Sequence, residues 1–130
     1  MSVISKICHD LGLPTGDRFT QDWAYELPDE YRTKEWLAKY IAAYSNNSDS
    51  LEVRRELMAL SLDIINDLLA SGLSTADGHV VKTLGLLFEN YPIHIDLVTY
   101  WECGADFPED CFALTPEIRR LKERFIDLAF

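Results

Sequence analysis

Residues 49–72 read DSLEVRRELMALSLDIINDLLASG, and this stretch decides the fold class. Val53, Leu57, Leu60, Ile64 and Leu68 recur at three- and four-residue spacing and form one apolar stripe. Met58, Leu62, Ile65 and Leu69 form a second stripe beside it. That period belongs to an α-helix, and two adjacent stripes make the wide buried arc expected of a central helix. Asp49 followed by Glu52 matches a capping box at its start. Gly72 suits the position just past its end, where left-handed backbone is needed.

The flanking sequence carries the same period. Val3, Ile4, Ile7 and Leu11 mark a short helix that begins after Ser2 and stops at Gly12. Residues 13–28 hold Pro14, Gly16, Asp17 and Pro28 and read as loop, with Trp23, Tyr25 and Leu27 alternating as a small extended arm. A helix is expected from Pro28–Asp29 to about Ser45, with Trp36, Leu37, Tyr40, Ile41 and Tyr44 on its apolar face. Ser74–Asp77 opens another, spaced by Val80, Val81, Leu84, Leu87, Phe88 and Tyr91 and ended by Pro92. Residues 93–103, IHIDLVTYWEC, fit both a strand and a helix. The helix is preferred, because a lone strand leaves its backbone groups unpaired. Residues 104–114 read as loop, and Thr115-Pro116-Glu117 opens a last helix with Ile118, Leu121, Phe125 and Leu128 as its stripe. All five prolines lie outside Asp29–Tyr91. The expected fold is all-α: a compact single-domain bundle of five to six helices spanning residues 1–130.

A chain of 130 residues can bury roughly two-thirds of the surface it exposes unfolded, and its 48% hydrophobic content is that of a globular protein. Lys6, His9 and Asp10 interrupt the N-terminal apolar run, so no secretory signal is expected, and no stretch is long enough for a membrane span. Cys8, Cys103 and Cys111 are too few and too odd in number for a disulfide framework, which predicts reduced thiols and a cytoplasmic protein.

The formal charge is −10, and it is unevenly placed. From Glu56 to Ile118 there are eleven acids and one base, Lys82, while acids and bases balance in the flanking segments. Nucleic acid and anionic membrane are excluded as direct partners, since both require basic patches. On the central helix Glu52, Glu56, Asp63 and Asp67 fall within a sector of about 60° opposite the apolar arc. Glu52–Glu56 and Asp63–Asp67 are like-charged i,i+4 pairs, which a helix chosen only for stability would avoid. A second acidic cluster comprises Asp96, Glu102, Asp106, Glu109 and Asp110, next to Tyr100, Trp101 and Phe107. Aromatics anchor interfaces, and acids around them steer a basic partner.

Signals for catalysis are absent. His9, His79 and His94 are not preceded by a Glu three positions earlier, as a di-iron bundle needs. Cys103 and Cys111, with Cys8 or His9, do not make a zinc-ligand spacing. Asp106, Glu109 and Asp110 lack the alternation of a calcium loop. Cys8, His9 and Asp10 are consecutive and project in different directions from a helix. No catalytic residue, metal or cofactor is expected.

The segment DWAYELPDEYRTKEWLAKYIAAY (residues 22–44) and LMALSLDIINDLL (residues 57–69) together carry a resemblance. An aromatic pair (Trp23, Tyr25), Arg32, the aromatic helix of Trp36-Leu37-Tyr40, then Leu57-Met58 and the run from Asp63 to Leu69 resemble small, acidic, helical immunity proteins of polymorphic or contact-dependent toxin systems. Ile64-Ile65-Asn66 is more apolar here than that class carries. The resemblance implies a bacterial helical inhibitor and transfers no individual site residue. Combined with the charge, it leads to the expectation of a protein that binds and neutralises a basic toxin, a nuclease by preference, because nucleases must be cationic to hold phosphates. The alternative expectation is a helical homodimer or an adaptor subunit, with Trp36, Tyr40 and Tyr44 at a self-interface.

Overall fold

The structure is a computed structural model that describes residues 3–14, 27–104, 109 and 111–129. Among these the chain is all-α, with six α-helices and no strand. The helices are α1 (Val3–Leu11), α2 (Lys34–Asn46), α3 (Leu51–Ala70), α4 (Gly78–Glu89), α5 (Ile95–Glu102) and α6 (Thr115–Ala129). Short 3-10 turns at Asp29–Tyr31 and Tyr91–Ile93 precede α2 and α5. The stretch 93–103, which fits two periods, is therefore helical over its main part. Trp23 and Tyr25 lie outside the described residues.

The chain forms two compact units, Met1–Ile64 and Ile65–Phe130. Their boundary falls inside α3.

In the first unit α1, α2 and the N-terminal half of α3 bury Ile7, Cys8, Leu37, Tyr40, Ile41, Tyr44, Val53, Leu57, Met58 and Leu60. The gap lined by Ile7, Leu11, Ala43, Val53 and Leu57 is only about 10 Å³, at most one water. Helix α1 ends as its sequence predicts. Gly12 has φ +71°, and Leu13 N–H donates to Cys8 carbonyl at 2.8 Å, closing a Schellman turn. Burial pushes the Cys8 thiol pKa up and keeps it protonated.

Helix α2 starts later than the sequence suggests. Residues 29–31 form only a 3-10 turn, and Thr33 is the cap, its hydroxyl accepting from Trp36 N–H at 3.3 Å. Two tertiary contacts fix the turn before it: Tyr40 hydroxyl donates to Tyr31 carbonyl at 2.7 Å, and Arg32 reaches Asp63. The Asp49 capping box is also displaced, because α3 begins at Leu51 and Ser50 hydroxyl accepts from Val53 N–H at 3.4 Å.

In the second unit Ile65, Val80, Leu87, Tyr91, Val98, Trp101, Leu114, Ile118 and Leu121 are buried. Gly72, at φ +106°, closes α3 with Leu73 N–H donating to Leu68 carbonyl at 2.9 Å. Asp77 caps α4 by accepting from His79 N–H at 2.9 Å. Thr115 is not the simple cap that its sequence context suggests. Its hydroxyl donates to Trp101 carbonyl at 2.8 Å and accepts from Phe112 N–H at 3.1 Å, so it joins α6 to the end of α5. Asn66 of α3 accepts from Leu114 N–H at 3.0 Å and holds the entry to α6. No described helix is long and apolar enough to cross a membrane.

Candidate functional site

The acidic residues separate into those engaged inside the fold and those facing solvent. Asp63, expected on an open ridge, accepts from Arg32 guanidinium at 2.5 Å, with side chains 22% and 7% exposed respectively. Its charge balances a buried cation, so it belongs to the first unit's structure. Glu52 is exposed, and Glu56 is half-buried. Asp67 is exposed and lies in the second unit.

Glu102 is likewise engaged. Both of its carboxylate oxygens accept from Lys122 Nζ, at 3.0 and 2.8 Å, tying α5 to α6. The carboxylate hydrogen bond holds the Lys122 ammonium pKa above its ordinary value. Asp96 and Glu109 are exposed. Asp106, Asp110 and Phe107 lie outside the described residues.

The aromatic anchors also divide. Trp101 is 5% exposed and is a core residue, not a surface anchor. Tyr100 is 59% exposed. It stacks on Phe112 with centroids 5.2 Å apart and meets Trp101 edge-on at 5.0 Å. Trp101 and Phe112 meet at 4.8 Å. Tyr100 is thus braced on a rigid aromatic support, with Asp96 one turn before it on the same exposed face of α5. Ile95 and Thr99 are exposed beside them. Phe112 is placed there by the turn before α6, where its N–H donates to the Thr115 hydroxyl.

That turn holds a feature contrary to expectation. Cys103 and Cys111 are joined by a disulfide, Cα atoms 5.7 Å apart, so only Cys8 is a free thiol. Arg119 reinforces the junction: Nε donates to Glu102 carbonyl at 2.8 Å and Nη2 to Cys103 carbonyl at 2.6 Å. The expectation of three reduced thiols failed because cysteine count says nothing of proximity, which α5 and α6 create by packing together. The expected self-interface is also altered. Tyr40 and Tyr44 are 0% and 2% exposed, so they are core residues and unavailable to a second copy.

Among the described residues no three His, Cys, Asp or Glu side chains converge as a metal site would require. The described surface carries exposed carboxylates and a braced phenol. No protein-family model, curated protein or solved structure matches this chain.

Proposed function

We propose that the protein is a cytoplasmic, bacterial-type immunity or inhibitor protein that binds and neutralises a basic toxin, with a nuclease domain as the toxin class. The observation that carries this reading is the concentration of charge: eleven acids against one base between Glu56 and Ile118. Opposite charge accelerates encounter with a cationic nuclease surface, and an acidic face competes for the cleft that holds phosphates. On α5 the exposed Asp96 and Tyr100 share a face, and Glu109 follows on the next segment. Tyr100 supplies apolar contact area at low entropic cost, since Phe112 and Trp101 already restrain it. Asp63 and Glu102 hold the fold and leave the contact surface to their exposed neighbours. A reducing cytoplasm would hold Cys103 and Cys111 as thiols, so binding is tested with and without reductant.

Co-expression with a toxin domain encoded beside this gene tests the reading. The chain is expected to restore growth and to co-purify with that domain, with and without reductant. The pair Asp96→Lys and Glu109→Lys is expected to weaken binding at least tenfold and flatten its salt dependence, with the unfolding midpoint unchanged. Growth that stays arrested, or binding indifferent to both reversals and to salt, overturns it.

A further inference from the structure

Within the second unit, α4 and α6 flank an open groove of about 500 Å³. Val81, Leu84, Gly85 and Phe88 line it from α4, and Leu121 lies in its floor from α6. Val81 is 57% exposed, and a Cβ on Gly85 would meet nothing within 4 Å, so the groove is open along α4. Between Val81 and Glu89 α4 advances about 12 Å, the length of two turns of a third helix. Two helical walls with an apolar floor accept the side-chain ridge of such a helix.

The charge on its rim is sided. On α6, Arg120 pairs with Glu117. Arg124 lies over the Phe88 ring, 4.5 Å from its centroid, and has no carboxylate partner among the described residues. Arg124 is exposed, and its contact with the ring fixes the guanidinium at the groove's rim, where it can donate to a carboxylate. Glu89 stands exposed on the α4 side.

We propose that this groove docks an amphipathic helix of another protein, whose apolar stripe is flanked by carboxylates on the side that meets α6. The site differs in place and in charge preference from the acidic surface invoked for toxin binding, so the two stand or fall separately. The net charge of −10 repels an acidic peptide at long range. A preference for acid here must therefore come from the groove itself.

Two dye-labelled synthetic helices of about 18 residues test it, long enough to hold helical structure. They share one Leu stripe and one neutral flank, and differ only in carrying Glu or Lys along the other flank. By fluorescence anisotropy at near-physiological salt, the Glu helix is expected to bind saturably and at least tenfold tighter than the Lys helix. Arg124→Glu is expected to reverse that order. Gly85→Leu puts a side chain into open space and replaces a poor helix former, so it is expected to fill the groove and abolish binding with thermal stability kept or raised. Equal or tighter binding of the Lys helix reflects net charge alone and overturns the proposal. So does unchanged binding by Gly85→Leu, or saturable binding of neither helix.

Discussion

Two aromatic trios in this protein have similar composition and face opposite ways. Tyr31, Trp36 and Tyr40 meet at centroid distances of 5.0 and 5.9 Å. Tyr100, Trp101 and Phe112 meet at 4.8 to 5.2 Å. The first trio closes inward: Tyr40 is buried, its hydroxyl donates to Tyr31 carbonyl, and burial pushes the phenol pKa well above the usual range. Lys39 covers the Trp36 ring at 3.9 Å. The second trio buries its Trp and turns its leading Tyr outward beside Asp96. The difference teaches that aromatic residues next to charge do not by themselves mark an interface. What matters is whether the polar tip of the ring has a partner inside the fold.

Truncation is expected to break the two trios apart most clearly. Tyr40→Ala removes a fully buried ring and its hydrogen bond, and is expected to cost about 3–5 kcal/mol in denaturant unfolding. Tyr100→Ala is expected to cost less than about 1 kcal/mol and to be felt instead in partner binding. Comparable losses at the two positions would mean that Tyr100 is structural and would remove the anchor from the proposed surface.

The acids around the trios sharpen the same contrast at smaller scale. Asp63→Asn removes the carboxylate charge that faces the largely buried Arg32 guanidinium, and is expected to cost about 2–3 kcal/mol. Asp96→Asn is expected to stay within about 0.5 kcal/mol, since the residue is exposed. Equilibrium urea unfolding of both variants checks the pair. It also warns against reversing Asp63 when mapping partner contacts, because the fold would suffer first.

The smallest expected effect concerns the link behind the second trio. Glu102 raises the Lys122 pKa above its ordinary value of about 10.5. A folded pKa above the unfolded one means the pair's contribution is complete below about pH 10.5 and is lost as pH rises through the raised value. With Lys122 38% exposed, solvent screening limits that loss to less than about 1 kcal/mol. Unfolding midpoints of wild type and Glu102→Gln are expected to differ at pH 8 and to converge above that range. Midpoints that stay parallel would show that the pair contributes nothing measurable.

Much of the helical framework was legible because it depends on local period and backbone stereochemistry. The twin stripes of α3, the left-handed glycines at 12 and 72 and the Asp77 cap all follow from residues within one or two turns of each other. The α3 start moved by one residue to the neighbouring Ser50 cap, whereas the larger shift at α2 came where distant partners intervened. Tyr31 and Arg32 leave the helical path to meet Tyr40 and Asp63, and Thr33 takes over the cap. Thr115 turns its hydroxyl to Trp101. The candidate site was legible as composition, an acidic middle with aromatics, but not as a surface. Asp63, Glu102 and Trp101 looked no different in sequence from Glu52, Asp96 and Tyr100.

The sequence by itself determined an all-helical chain, the ends of several helices and a net charge concentrated between residues 56 and 118. These rest on periodicity, on glycine and capping chemistry and on counting, none of which needs a distant residue. Tertiary structure alone decided which carboxylates are engaged by Arg32 and Lys122, that Cys103 and Cys111 meet, and that an apolar groove opens between α4 and α6. Those outcomes depend on which side chains packing brings within bonding distance, and that proximity is a property of the folded chain.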